Sequence, residues 1–131
     1  METYELEEKI FDALISNSEL MAILPQGALS IYHYVAPSVL PASYPIIVYS
    51  VISDVPTLAG DDREIAHRVT IRIHVITQER NTVAEQNKFQ RACAAVKRIM
   101  KGLGFVRRQT TPYVEEGKAI LIFDFIKGVK N

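Results

Sequence analysis

The stretch "DVPTLAGDDRE", from Asp54 to Glu64, holds the densest set of side chains that could do chemistry. Its acids are Asp54, Asp61, Asp62 and Glu64, and His67 and His74 follow closely. Converging carboxylates could hold metal ions or transfer protons, but they must be fixed by rigid elements. A segment with this Pro and Gly content predicts a flexible loop over residues 54–64 instead. The two histidines are seven residues apart, so on one strand they point to opposite faces. We therefore predict no metal site, no cofactor and no enzymatic activity.

Other reactive groups lead to the same expectation. Cys93 lies in the middle of a predicted helix among small apolar residues, where its thiolate is not stabilised, and this favours a buried structural thiol. No serine stands in a G-x-S-x-G turn, and "KGLGF" follows a helix whereas phosphate-binding glycine loops precede one.

A basic patch is predicted on the second long helix. Lys97, Arg98 and Lys101 share a solvent-facing side at helical spacing. Such a patch could contact phosphates or an acidic protein surface. The lack of interleaved aromatic residues and the balanced net charge weaken the nucleic-acid alternative.

Charge is segregated within a neutral chain. The 131 residues hold 15 Lys+Arg and 15 Asp+Glu, yet residues 1–20 carry six acids and one base, while residues 78–108 carry eight bases and two acids. This separation suits head-to-tail association of copies, although solvated helix faces produce the same pattern. The single cysteine fits a reducing compartment, and no apolar run is long enough to cross a membrane, so we expect a protein made in the cytoplasm with no membrane partner.

The periodicity predicts one α+β domain spanning residues 1–131. Apolar residues at helical spacing indicate a helix near the N-terminus and another after Thr82, where Glu85 completes a capping-box pattern. Three strands lie between these helices and two follow, in the order α-β-β-β-α-β-β. We expect a mostly antiparallel sheet of four or five strands with the two main helices on one face.

Two of the strands are apolar on both faces. "PIIVYSVIS" and "KAILIFDFIKG" place apolar side chains at both parities, with a lone Asp124 in the second. Two helices cover only one face of such a sheet. The other face requires a cover, which could be the sheet curling on itself or another subunit.

The arrangement of these segments resembles one known family. An N-terminal "LEEKIFDAL" helix leads to "YPIIVYSVISDVP", then to "HRVTIRIHVIT", the helix "VAEQNKFQRACAAVKRIM" and a final strand "AILIFDFIKG". The order of these elements, their lengths and their local sequences, over nearly the whole chain, resemble those of the tail completion, or tail terminator, proteins of long-tailed bacteriophages and prophages.

The resemblance implies a structural virion protein made in the bacterial host cytoplasm. Such a protein forms a ring, generally hexameric, on the head-proximal end of the tail tube, although the free subunit can be a monomer. The ring stops tube polymerisation and joins the tail to the head, so the implied partners are further copies, the tail tube protein and the head connector or stopper protein. The only nucleic acid expected is DNA passing through the ring. With this function, residues 54–64 would form an assembly loop, which includes Asp54, Asp61, Asp62 and Glu64. A ring needs contacts between unlike surfaces, and from the charge pattern we expect the acidic first helix and the basic patch of Lys97, Arg98 and Lys101 to supply them.

Two other classes of function remain open from the sequence. A small dimeric ligand-binding or regulatory α+β module would use the spare apolar face as its dimer interface. A hydrolase or metal enzyme would use Asp61, Asp62 and Glu64 with a histidine.

Overall fold

The structure is a computed structural model that describes residues 2–35, 39–60 and 63–130, with only the backbone described at residues 58, 59 and 63–65. Its helices and strands, in chain order, are α1 (Thr3–Ile15), α2 (Ser18–Ile23), β1 (Ile31–His33), β2 (Ile46–Gly60), β3 (Arg63–Gln78), α3 (Val83–Gly102), β4 (Val106–Glu115) and β5 (Lys118–Lys130). Short 3₁₀ turns precede β1 and β2, at Gly27–Ser30 and Pro41–Ser43. The predicted α+β class and the order of the elements are confirmed.

The five strands form one sheet in the order β1-β2-β3-β5-β4. β1 pairs with β2 in parallel, and the other three pairings are antiparallel. The turn between β4 and β5 uses Glu116 and Gly117 at φ values of 50° and 77°. Positive φ at both positions is the geometry that matches the twist of a tight hairpin. In the strand order given above, β1 and β4 are the two edges of the sheet.

The helices pack on one face of this sheet, as predicted. α1 buries Leu6, Ile10 and Leu14, and α3 buries a stripe that includes Phe89, Val96 and Met100. The side chains that face them from the strands have almost no exposure: Ile47, Val69, Ile71, Ile73, Val75, Phe123 and Phe125. The helix period of 3.6 and the strand period of 2 thus place two apolar surfaces together, and we call this side of the sheet the helix face.

The ends of α3 follow from its flanking residues. The Thr82 hydroxyl accepts from the Glu85 backbone N–H at 3.2 Å, and the Glu85 carboxylate accepts from the Thr82 backbone N–H at 3.3 Å. This reciprocal pair satisfies two N–H groups that the first turn leaves without helical partners. The chain leaves the helix through Gly104, whose φ of 88° suits a residue without a Cβ.

The strands around residues 54–64 are longer than predicted. Residues 54–60 lie in β2 and residues 63–64 in β3, with Asp54 opposite Val69 and Pro56 opposite His67. The prediction of a loop beginning at Asp54 is wrong for this backbone, because the antiparallel pairing of β2 with β3 continues to Gly60. Since β1 pairs only with Ile47–Tyr49, the outer side of β2 beyond that point is an edge. Proline and bulges are tolerated at an edge, and this segment has register shifts near residues 52 and 57. Asp61 and Asp62 lie outside the described residues.

The face opposite the helices, here called the open face, is covered at one end only. Ile46, Val48 and Ile76 form a second buried cluster under Tyr32, Val39 and Tyr44, so the cover at this end is the segment around β1 and the turn before β2. Elsewhere the open face carries exposed apolar side chains, namely Ile52 at 44%, Val106 at 65% and Tyr113 at 47% exposure. Within the described chain these side chains are available to a partner.

Candidate functional site

Asp54 connects the β2–β3 hairpin to the start of α1. One carboxylate oxygen lies 2.6 Å from Nδ1 of His67, which is buried, and the other accepts a hydrogen bond from the Thr3 hydroxyl. The hydrogen bond from Thr3, followed by the interaction with His67, lowers the pKa of Asp54. The Asp54 carboxylate thus contacts both α1 and β3, and its role is to anchor the β2–β3 hairpin to the first helix.

The two histidines do not meet in one site: His67 contacts Asp54, but His74 lies on the other face of the sheet. His67 lies on the helix face, while His74 shares the open face with Arg72. Burial, and then the charge of Arg72, lower the pKa of His74. Among the residues that the structure describes, no three His, Cys, Asp or Glu side chains are grouped as a metal site would require. The side chain of Glu64 is not described, so of the four predicted loop acids only Asp54 has contacts to report.

Cys93 is buried on the inner side of α3, as its sequence context predicts. Burial raises the pKa of its thiol to about 12. The thiolate is the nucleophilic form, so this environment suits a structural thiol.

The predicted basic patch is divided by the structure. Arg98 donates to Oε2 of Glu19 at 2.6 Å and so connects α3 to α2. Lys97 and Lys101 instead line a groove of ≈ 320 Å³ between α3 and β4, together with Phe105, Val106, Arg107 and Phe125. The Lys97 ammonium lies 6.0 Å from the centre of the Phe123 ring. The groove therefore has an apolar floor and a rim of three cations, and we call it the basic groove.

A second concavity lies beside α1 and β1. It has a volume of ≈ 380 Å³ and is lined by Tyr4, Glu7, Glu8, Phe11, Asp12, His33 and Tyr49. His33 contacts the Glu7 carboxylate, which also accepts a hydrogen bond from the Tyr34 hydroxyl at 3.3 Å. The His33 ring stacks on Tyr49 with centroids 4.8 Å apart. We call this acidic, aromatic surface the α1 face.

Sequence reasoning missed the α1 face as a site. The acids of the first helix are visible in the sequence, but His33 shows no partner there because Glu7 is distant along the chain. Its neighbour Tyr49 becomes part of the surface only through the parallel pairing of β1 with β2, in which His33 lies opposite Tyr49.

None of the helices in residues 2–35, 39–60 and 63–130 is long and apolar enough to cross a membrane. The surface features of the described chain are thus two charged concavities, an open face with exposed apolar residues and a long hairpin.

Comparison with known proteins finds a family whose model matches this chain and solved structures that share its fold. The model of a protein family described as "Tail completion protein gp17" matches residues 8–118. A solved structure, "Virion of native gene transfer agent (GTA) particle", contains a chain with the same fold, at a TM-score of 0.69 and 19% identity, covering 96% of this chain and 95% of that one. No curated protein sequence matches the chain.

Proposed function

The chain belongs to the tail completion protein gp17 family, and from that premise we propose that it forms a ring on the head-proximal end of the tail tube. As a member of the family it is a structural protein of the phage tail, it is located in the virion, and it assembles with other tail and head proteins. The proposal adds that the ring stops tube polymerisation and joins the tail to the head.

The observation that carries this proposal is the family match, which spans most of the chain. The structure supports it through the character of the surfaces. A ring is built from heterologous contacts, in which one patch meets a different patch on the next copy. The chain has two such patches of opposite charge, the α1 face and the basic groove.

We further propose that the ring is hexameric when assembled and that the free subunit is a monomer. Its axial partners are the tail tube protein and the head connector or stopper protein, and DNA passes through the opening. No cofactor is required for this role.

The distal part of the β2–β3 hairpin is proposed as the assembly arm. Asp54 holds the base of the hairpin to α1. The candidate contacts are Asp61, Asp62 and Glu64, which follow Gly60, the last residue of β2, in the sequence. Amide hydrogen exchange tests this role. We expect faster exchange in residues 55–64 than in residues 46–51 of the free protein, and protection of the tip on tubes. Equal protection before and after tube binding would contradict it.

Negative-stain imaging of purified tail tubes, with and without the protein, tests the function itself. We expect a ring at one end only and tubes that no longer grow when tube protein is added. Bare ends at saturating protein would overturn the proposal. Bare ends combined with a stable dimer at every concentration would favour the small ligand-binding module instead.

A further inference from the structure

The two charged concavities lie on the same side of the sheet at opposite edges. The α1 face includes His33 of edge strand β1, and the basic groove includes Arg107 of edge strand β4. Both open on the helix face, because His33 lies opposite Tyr49 and Arg107 lies opposite Phe125. With strands spaced about 4.8 Å apart, the two edges are separated by about 19 Å. One copy can therefore contact a neighbour on each side at once.

We propose that the α1 face of one copy docks into the basic groove of the next copy. This inference rests on the proposed function, since it names the contact that would join neighbouring subunits in the ring. The occupant of the groove is a second copy of this chain, and the patch that enters it is the side of α1 bearing Tyr4, Glu8 and Asp12.

Charge complementarity is the first argument. Lys97 and Lys101 form no ion pair with any other described residue, and neither do Glu8 and Asp12. Glu7 and Arg98, by contrast, are each engaged within the subunit, by His33 and Glu19. Among the residues that line the two concavities, the charges without an ion-pair partner are thus acidic at one edge and basic at the other.

Apolar complementarity is the second argument. Tyr4 is 63% exposed on the α1 face, and Val106 is 65% exposed at the mouth of the basic groove. Tyr4, Glu8 and Asp12 are spaced by four residues each and so follow one side of the helix. An aromatic ring followed along the helix by two carboxylates matches a groove with an apolar floor and a cationic rim. Protein interfaces have this composition, with an anchor and a polar border.

Cross-linking between copies tests the contact. A Glu8→Cys/Lys101→Cys variant is treated with a short bismaleimide on tail tubes and in free solution. The native Cys93 is buried with a thiol pKa of about 12, so it adds little background. We expect a ladder of covalent multimers on tubes. The controls are each single variant and Glu8→Cys/Lys88→Cys, which moves the second thiol to an exposed position near the other end of α3.

The outcomes separate this inference from the proposed function. Rings on tube ends together with a ladder only in Glu8→Cys/Lys101→Cys support the contact. Rings without a ladder, or with an equal ladder in the Lys88 control, overturn the contact and leave the proposed function standing. Absence of rings overturns both.

Charge exchange provides a second, independent readout. Glu8→Lys/Asp12→Lys and Lys97→Glu/Lys101→Glu should each reduce ring occupancy on tubes by about tenfold or more, because like charges then face each other. The variant carrying all four substitutions restores opposite charges and should recover occupancy. This recovery excludes misfolding as the cause. Reversal at the exposed Lys88 and Glu79 should have no effect, and failure of the fourfold variant to recover would contradict the proposal.

Discussion

Arg72 and Asp124 form a two-point ion pair at the centre of the open face. Replacing Arg72 and replacing Asp124 should lower the free energy of unfolding by different amounts. The residues lie opposite each other on β3 and β5, with Nε and Nη2 of the guanidinium 2.8 and 3.1 Å from the two carboxylate oxygens. The Arg72 side chain is 40% exposed, whereas that of Asp124 is only 13% exposed. The perturbations are Arg72→Met and Asp124→Leu, which replace each charge with an apolar side chain.

The expected magnitudes follow from which charge remains. Arg72→Met leaves a mostly buried carboxylate without its partner, and this should lower the free energy of unfolding by about 2–3 kcal/mol. Asp124→Leu leaves a guanidinium that reaches water, so the loss should be at most about 1 kcal/mol. The double variant should be more stable than Arg72→Met alone, because no buried charge is left. For a chain of this size each kcal/mol corresponds to a change in Tm of about 4 °C.

His74 provides an internal check on the charges. It lies two residues from Arg72 on the same face, where burial and the Arg72 charge lower its pKa and the Asp124 charge raises it. The pKa of His74 should therefore rise in Arg72→Met and fall in Asp124→Leu.

Urea unfolding of the four variants in the cycle, with an NMR titration of His74, makes both measurements. Equal destabilisation by the two single substitutions, with additive effects in the double variant, would refute the reasoning. Movement of the His74 pKa in the same direction in both variants would refute it too.

Three shorter predictions concern the anchor, the thiol and the helix cap. The pKa of Asp54 is below its ordinary value of 3.8, so its contribution to stability is present above pH 3.8 and is lost as the pH falls through the lowered value. Acid unfolding should be less steep in Asp54→Asn and Thr3→Ala, while Glu116→Gln, at an exposed turn, should match wild type. Cys93 should react with a thiol reagent at pH 8 only when the chain unfolds, and fast labelling of the native protein would contradict its burial. Thr82→Ala should cost about 1 kcal/mol of unfolding free energy, and Thr82→Ser should retain most of the stability.

The fold was predictable where one periodicity dominates. The helical spacing of Leu6, Ile10 and Leu14 and the alternation along β3 each fix which side is buried, and these sides form the core. The capping pattern of Thr82 and Glu85 located the start of α3. Such signals are local, so they can be recognised in the sequence without knowing which residues pack against them.

The loop prediction failed because strand pairing outweighed local turn signals. Pro56 and Gly60 resemble loop residues, but β3 offers a long template, and the outer side of β2 is an edge where a missing N–H is tolerated. Whether this hairpin is mobile stays a prediction. The lone Asp124 was similarly unexplained in sequence, because its partner is set by the β3–β5 register.

The candidate surfaces could be predicted only in part, because they join segments that are distant in the chain. Lys97 and Lys101 were identified as a patch with Arg98, but the chain turns after Gly104 and returns beside α3, which adds Arg107 and the apolar floor. Arg98 is removed from the patch by Glu19, a residue 79 positions away. Spacing within one helix predicts which side chains share a side, but it does not predict which of them the rest of the fold engages.

The distribution of surfaces over this small fold bears directly on the proposed ring. A subunit in a ring that joins two axial partners needs four separate surfaces, two for its neighbours and two along the axis. The α1 face and the basic groove lie at opposite edges of the sheet, where the two neighbouring subunits of the proposed ring would bind. The open face and the distal β2–β3 hairpin remain for the axial partners, and they differ in character. The open face carries exposed apolar residues, whereas the sequence that joins β2 to β3 is acidic. Val106 belongs to both the open face and the basic groove, but the other side chains named for the four surfaces differ. Contacts between neighbours and contacts with tube and head can therefore use mostly different side chains of one subunit.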